Sequence, residues 1–157
     1  CALALILTAE SAWAVSLKPG DPAPPLKVGR WIRPPSPAGG AKKIGVVSFF
    51  STWSNPCKQT YPIVANVARN HANRVSVQAV AVFEKNANPS GAHYDTVAAF
   101  VKQMGSQMPY AVGVDGSDGA AAKAWLDASG ERGVPVSFVI GRDGKIACRD
   151  GCLYMPS

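Results

Sequence analysis

The sequence predicts an α/β fold, one sheet with helices on both faces, and three observations carry that expectation. The chain has 157 residues, 47% hydrophobic and 17% charged, which is the composition of one compact domain able to bury a core. Apolar runs rich in β-branched residues alternate with segments whose apolar residues recur at helical spacing. The order is strand, helix, strand, helix, strand, helix and then a strand hairpin, an alternation that lays helices over a central sheet.

Residues 1 to 14 read as part of a signal peptide. Ala2-Leu3-Ala4-Leu5-Ile6-Leu7 is too short an apolar run to span a bilayer, and Ala12-Trp13-Ala14 fits an A-x-A cleavage site. Without an initiator Met or a basic n-region, the sequence is expected to start inside a longer precursor. An ordinary N-terminal helix containing Glu10 is the competing reading, and a lipidated Cys1 a minor one. Export would place the protein in the periplasm or outside the cell, with membrane contact only through an uncleaved N-terminal segment.

Residues 15 to 41 are rich in Pro and Gly, which blocks helix and central strand. They are expected to wrap the domain, with a short edge strand near Leu26 to Trp31. The main domain is expected over 42 to 149. Lys43 to Phe50 is apolar almost throughout, as a strand buried on both faces requires. From Cys57 to about Asn70, Tyr61, Val64, Ala65 and Ala68 mark one helix face, with Ser54 a suitable N-cap and Pro56 tolerated in the first turn. A strand is expected at Val75 to Phe83, then a helix at Tyr94 to Met104 capped by Asp95 or Thr96. A short strand at Tyr110 to Val114 and a helix at Gly119 to Ala128 follow. Val134 to Ile140, the turn Gly141-Arg142-Asp143-Gly144 and Lys145 to Cys148 make the hairpin. Residues 150 to 157 are an atypical tail with no closing helix, so one sheet face is expected to be uncovered, and a truncated or frame-shifted gene end fits the same pattern.

The net charge is +6 and no run of like charges occurs, so acidic partners or membrane surfaces are favoured only weakly and nucleic-acid binding is not implied. Cysteines stand at 1, 57, 148 and 152. If Cys148 and Cys152 pair, Cys57 is left as a free thiol. No C-x-x-C pair and no zinc-type, nucleotide or flavin spacing is present, so no metal or cofactor is expected. His71 and His93 stand alone and read as surface or helix-end residues.

Three segments carry a family likeness. They are Phe49-Phe50-Ser51-Thr52-Trp53-Ser54-Asn55-Pro56-Cys57-Lys58, Gly133-Val134-Pro135 and Asp143-Gly144-Lys145-Ile146. In that order the sequence resembles the thioredoxin-like superfamily, in particular the secreted TlpA/ResA-type thiol-disulfide oxidoreductases and the related redoxin (AhpC/TSA) group. The resemblance implies a thioredoxin-like fold with a central mixed sheet, a cis proline at Pro135 set against the active-site motif, and protein thiols or disulfides as partners. It also exposes a departure, because Ser54 stands where the family has its attacking cysteine.

A cysteine in the first turn of a helix lies among unpaired backbone N–H groups and the positive macrodipole end, which favour the reactive thiolate. Cys57 is therefore the candidate nucleophile. Complete dithiol exchange needs two thiols, and the Ser54 hydroxyl has no strong base to make it a substitute. Were Pro135 cis, it would turn the Val134 backbone outward to pair with an extended substrate. The plainer alternative is a trans proline opening an edge strand. Trp53 would contact substrate or simply pack. Lys58 reads as a solvated lysine more readily than as support for the thiolate, and Glu84 as a solvated loop carboxylate more readily than as a proton carrier.

Three functional readings stay open. In the favoured one, Cys57 acts alone or with Cys148 or Cys152 as a thiol-disulfide oxidoreductase. In the second it is a peroxidatic cysteine with peroxide as substrate, Ser54 giving the hydroxyl of a T-x-x-C motif, although Phe50 stands where peroxiredoxins carry proline. In the third the fold is a non-catalytic module holding a peptide between Trp53 and Val134.

Overall fold

The computed structural model describes residues 17–36, 42–85 and 91–153. The expected signal peptide and the last residues of the tail lie outside them. No helix of the described residues is long and apolar enough to cross a membrane.

One mixed sheet organises the chain. Its strands are β1 (Arg30–Arg33), β2 (Ile44–Phe50), β3 (Val75–Ala81), β4 (Ala111–Val114), β5 (Val136–Ile140) and β6 (Ile146–Arg149), in spatial order β1-β4-β3-β2-β5-β6. β2, β3 and β4 run parallel, whereas β1, β5 and β6 pair antiparallel with their neighbours. The helices are α1 (Asn55–Asn70), α2 (Ala92–Met104) and α3 (Ala120–Ala122), the last continuing into a π-helical turn at Lys123–Asp127.

β2 lies between β3 and β5 and has a core on each side of the sheet, so both of its faces must be apolar. Side chains alternate across it. Val46 and Phe50 join Tyr61, Val64 and Ala65 of α1 and Val97 and Val101 of α2 in one core. Val47 and Phe49 join Ala121, Ala122, Trp125 and Leu126 in the other. Ser48 breaks the apolar run, but its hydroxyl accepts a hydrogen bond from Ser137 Oγ at 3.0 Å across β2 and β5.

Over residues 17–36 the N-terminal segment runs along the domain surface. Leu17 is buried against the α3 side and its N–H bonds the Ala128 carbonyl at 2.6 Å, Gly20 N–H reaches Ile146, and Gly29 N–H reaches Val114. The edge strand begins four residues later than expected, at Arg30. Gly113 permits its approach, since a Cβ there would come within 2.5 Å of the Val28 side chain.

Several boundaries move for identifiable reasons. α2 is preceded by Gly91 in the left-handed conformation, not capped by Asp95 or Thr96, and Asp95 lies inside the first turn. β3 stops at Ala81, because Phe83 takes a positive φ of 55° that no strand accommodates. After β6, Cys148 and Cys152 form a disulfide with Cα atoms 6.4 Å apart, and Cys57 is the free cysteine among the described residues. Among the described residues no helix follows β6, and Leu153 packs against the α1/α2 core.

Candidate active site

The parallel strands β2 and β3 deliver their C-terminal ends side by side, Phe50 opposite Ala81. β5 runs the other way beside β2, with Val136 opposite Phe49, so Val134 and Pro135 come to this same end of the sheet. The Val134–Pro135 peptide bond is cis. Sheet register thus brings the start of α1 and the Gly133-Val134-Pro135 segment together with the residues after β3, whereas Asp143-Gly144-Lys145-Ile146 lies in the β5–β6 hairpin at the other end of the sheet.

Ser54 occupies the N-cap position of α1 in an extended conformation (φ −83°, ψ 115°), but its hydroxyl makes no capping hydrogen bond. Its backbone N–H instead closes a turn onto the Ser51 carbonyl at 3.2 Å. The expectation of Ser54 as N-cap holds for position and not for the hydrogen bond. Asn55 and Pro56 start the helix, which places Cys57 in its first turn. Proline early in a helix forfeits no ladder bond, since those N–H groups have no partner there. Cys57 is fully buried, with 0% exposure, and its carbonyl accepts a hydrogen bond from Thr60 Oγ1 at 2.8 Å. Pro62, inside α1, has no N–H to give the Lys58 carbonyl, which leaves the first turn with one ladder bond fewer.

The segment after β3 is tied tightly to the loop between β2 and α1. Val82 N–H bonds the Phe50 carbonyl at 2.8 Å, and Ser51 Oγ donates to the Val82 carbonyl at 2.5 Å. Trp53 Nε1 donates to the Phe83 carbonyl at 3.0 Å. Glu84 takes the N–H of Thr52 on one carboxylate oxygen and its Oγ1 on the other, both at 2.7 Å. Glu84 is accordingly buried, which corrects the expectation of a solvated loop carboxylate: its negative charge is satisfied by two local donors. Lys58 is exposed as expected.

Around this framework the surface is aromatic. Trp53 is 51% and Phe83 44% exposed, and the Lys85 ammonium sits 5.8 Å from the Trp53 ring centroid. Tyr61, one helical turn after Cys57, is buried with its hydroxyl unpartnered. Burial, reinforced by Cys57, Tyr110 and Glu84, pushes its phenol above the ordinary range. Val134 is half-buried and touches both cores. His71 ends α1 exposed, as expected. His93 also stands at a helix end, but it is 1% exposed and stacked on Tyr94 at 4.0 Å between ring centroids, which corrects its reading as a surface residue.

A mixed sheet of this order, a cysteine in the first turn of the helix after β2 and a cis proline before β5 define a thioredoxin-like protein. The Redoxin family model matches residues 36–150, and the chain belongs to that family. It is similar to Protein FixW of Rhizobium leguminosarum, with 35% identity over 139 residues covering 85% of this chain and 61% of the relative. The thiol:disulfide interchange protein CycY of Rhizobium leguminosarum bv. viciae is 29% identical over 105 residues, covering 66% of this chain and 47% of that one. The chain therefore spans about half to three-fifths of the length of these curated relatives. Among solved structures it resembles the thiol:disulfide interchange protein DsbE of Chlorobium tepidum, with TM-score 0.59, 24% identity and 85% of each chain covered. It also resembles a thiol-disulfide isomerase of Corynebacterium glutamicum, with TM-score 0.65, 17% identity and coverage of 83% and 86%. At these identities the structural likeness is one of fold.

Proposed function

We propose that this chain is an exported thiol-disulfide oxidoreductase domain over residues 42 to 149, acting on protein thiols and disulfides through the single motif cysteine Cys57. The observation that carries the reading is the free Cys57 in the first turn of α1, at the sheet end that also holds the cis Val134–Pro135 bond. The relative CycY, named a thiol:disulfide interchange protein, points the same way.

The exchange follows from the residues in place. The Cys57 thiolate attacks one sulfur of a substrate disulfide, a new sulfur–sulfur bond forms, and the other substrate sulfur leaves as a thiolate with the electron pair. Val134 offers backbone groups to an extended segment and Trp53 an apolar wall. Ser54 cannot expel the substrate from Cys57, so the mixed disulfide persists until an external thiol attacks it. Access to Cys57 requires the first turn of α1 to open, and the ladder bond missing at Pro62 eases that opening.

Labelling of Cys57 with a small aromatic disulfide reagent tests this, in a Cys1→Ser background so that one thiol reports. Complete reaction of the folded protein is expected, more slowly than in urea because the sulfur is covered. A thiol that reacts only after unfolding refutes the exchange and favours the non-catalytic reading, peptide binding without chemistry, for which the 0% exposure of Cys57 speaks. A peroxide substrate is the remaining alternative, supported by a Ser54 hydroxyl free of capping duty. It predicts sulfenic acid at Cys57 after stoichiometric peroxide.

A further inference from the structure

Phe83 stands in a place that folding alone does not favour. It has a bulky side chain, 44% exposed, on a backbone held at φ +55°, where a non-glycine residue is unusual and an aromatic one more so. Hydrogen bonds on both sides hold it there. Val82 is tied to Phe50 and Ser51, the Phe83 carbonyl takes the Trp53 indole N–H, and Glu84 grips Thr52. The result is a pair of outward aromatics, Trp53 and Phe83, joined through that indole hydrogen bond and placed where Cys57 and Val134 also converge. Strained residues over-determined by their surroundings concentrate at functional sites.

We propose that Phe83 and Trp53 form a docking platform for a bulky apolar side chain next to the cysteine of an extended polypeptide substrate. The inference deepens the exchange reading above, because it names what lies beside the substrate sulfur. A strand-like peptide laid along Val134 presents alternate side chains to one side, and the platform receives one of them. Charge selects the neighbouring residue. Lys85 lies over Trp53 and Lys58 is exposed in the first turns of α1, so the rim is cationic and suits an acidic residue flanking the apolar one.

The test uses binding, so that it does not depend on the reactivity of Cys57. Two fluorescent peptides carry S-methylcysteine and differ only in having Trp or Ser next to it, with a glutamate following that residue in both. The Trp peptide is expected to bind the protein about tenfold more tightly, as burial of one large apolar side chain implies. Phe83→Gly is expected to bring the ratio below about twofold with the thermal midpoint unchanged or raised, because glycine adopts φ +55° freely. Phe83→Tyr should keep the preference. Loss of preference without loss of stability separates a contact residue from a packing one. Equal affinities in the unaltered protein, or a preference that survives Phe83→Gly, overturns the proposal. So does a Phe83-dependent dimer in sedimentation with no peptide preference, which would make the patch a contact between two copies. A peptide preference retained by a protein whose Cys57 never labels refutes the exchange chemistry alone.

Discussion

On the α3 side of the sheet the core is built around packed aromatic rings, whereas on the α1/α2 side a thiol and phenols are set among aliphatic side chains. Phe49, Trp125 and Phe138 form a closed aromatic triad against α3, with centroid separations of 5.2 to 6.0 Å. The opposite core holds the Cys57 thiol and the Tyr61 and Tyr110 phenols among its valines. One face therefore anchors the sheet, and the other gives up some apolar uniformity to carry the candidate chemistry. A domain so divided should respond differently to truncation on its two sides, because deletion on the anchoring face leaves a void and deletion on the other alters polar balance.

The largest effect is expected on the anchoring face. Trp125 is 1% exposed and meets both Phe49 and Phe138, so Trp125→Ala should destabilise the domain by about 3–5 kcal/mol in urea unfolding. A loss below about 1 kcal/mol would mean that the π-helical turn collapses into the space and that the faces are less distinct than their contacts imply.

A smaller loss is expected at the site's own framework. Glu84→Ala removes both acceptors of Thr52 and leaves its backbone N–H without a protein partner, which should cost about 1–3 kcal/mol. Amide exchange resolves the cause. Faster exchange confined to Thr52 and its neighbours locates the loss in the loop between β2 and α1, and uniform acceleration would make Glu84 a determinant of global stability instead.

How far the two faces were legible in the sequence differs in the same way. β2, β3 and α1 were readable because burial on both faces imposes continuous apolarity on a strand and helical periodicity on α1. The positions of Ser54 and Cys57 at the start of α1 were readable from helix-start signals, and the placement of Pro135 against them came from the family resemblance. Glu84 and Phe83 were not readable. Glu84 finds its donor 32 residues away, and β-propensity carried the expected strand through Val82 to Phe83 until tertiary hydrogen bonds turned the chain into a left-handed conformation. The burial of His93 likewise depends on packing across α2 that no local pattern encodes. Sequence preference points to Asp95 and Thr96 as caps of α2, and it gives no sign that Gly91 precedes the helix.

The smallest effect concerns Tyr61, and its sign distinguishes the two faces most directly. Its hydroxyl is buried and unpartnered, as is, on the anchoring face, the Trp125 indole N–H among the described residues. Tyr61→Phe keeps the ring edge-on to Phe50 at 5.8 Å and removes the unsatisfied group, so stability at neutral pH should rise by about 1 kcal/mol. Burial raises the folded phenol above its ordinary value of 10.0, with Cys57, Tyr110 and Glu84 adding to the effect. The folded protein then keeps a proton that the unfolded chain releases. Its contribution is complete below pH 10.0 and is lost as pH rises from there toward the folded value. Tyr110, raised by burial against the opposing pull of Arg33 and Arg69, acts in the same direction. Urea midpoints measured at about pH 8 and about pH 11 should therefore fall less for Tyr61→Phe than for the unaltered protein. An equal fall would place the Tyr61 hydroxyl in contact with water and remove it from the polar set of that face.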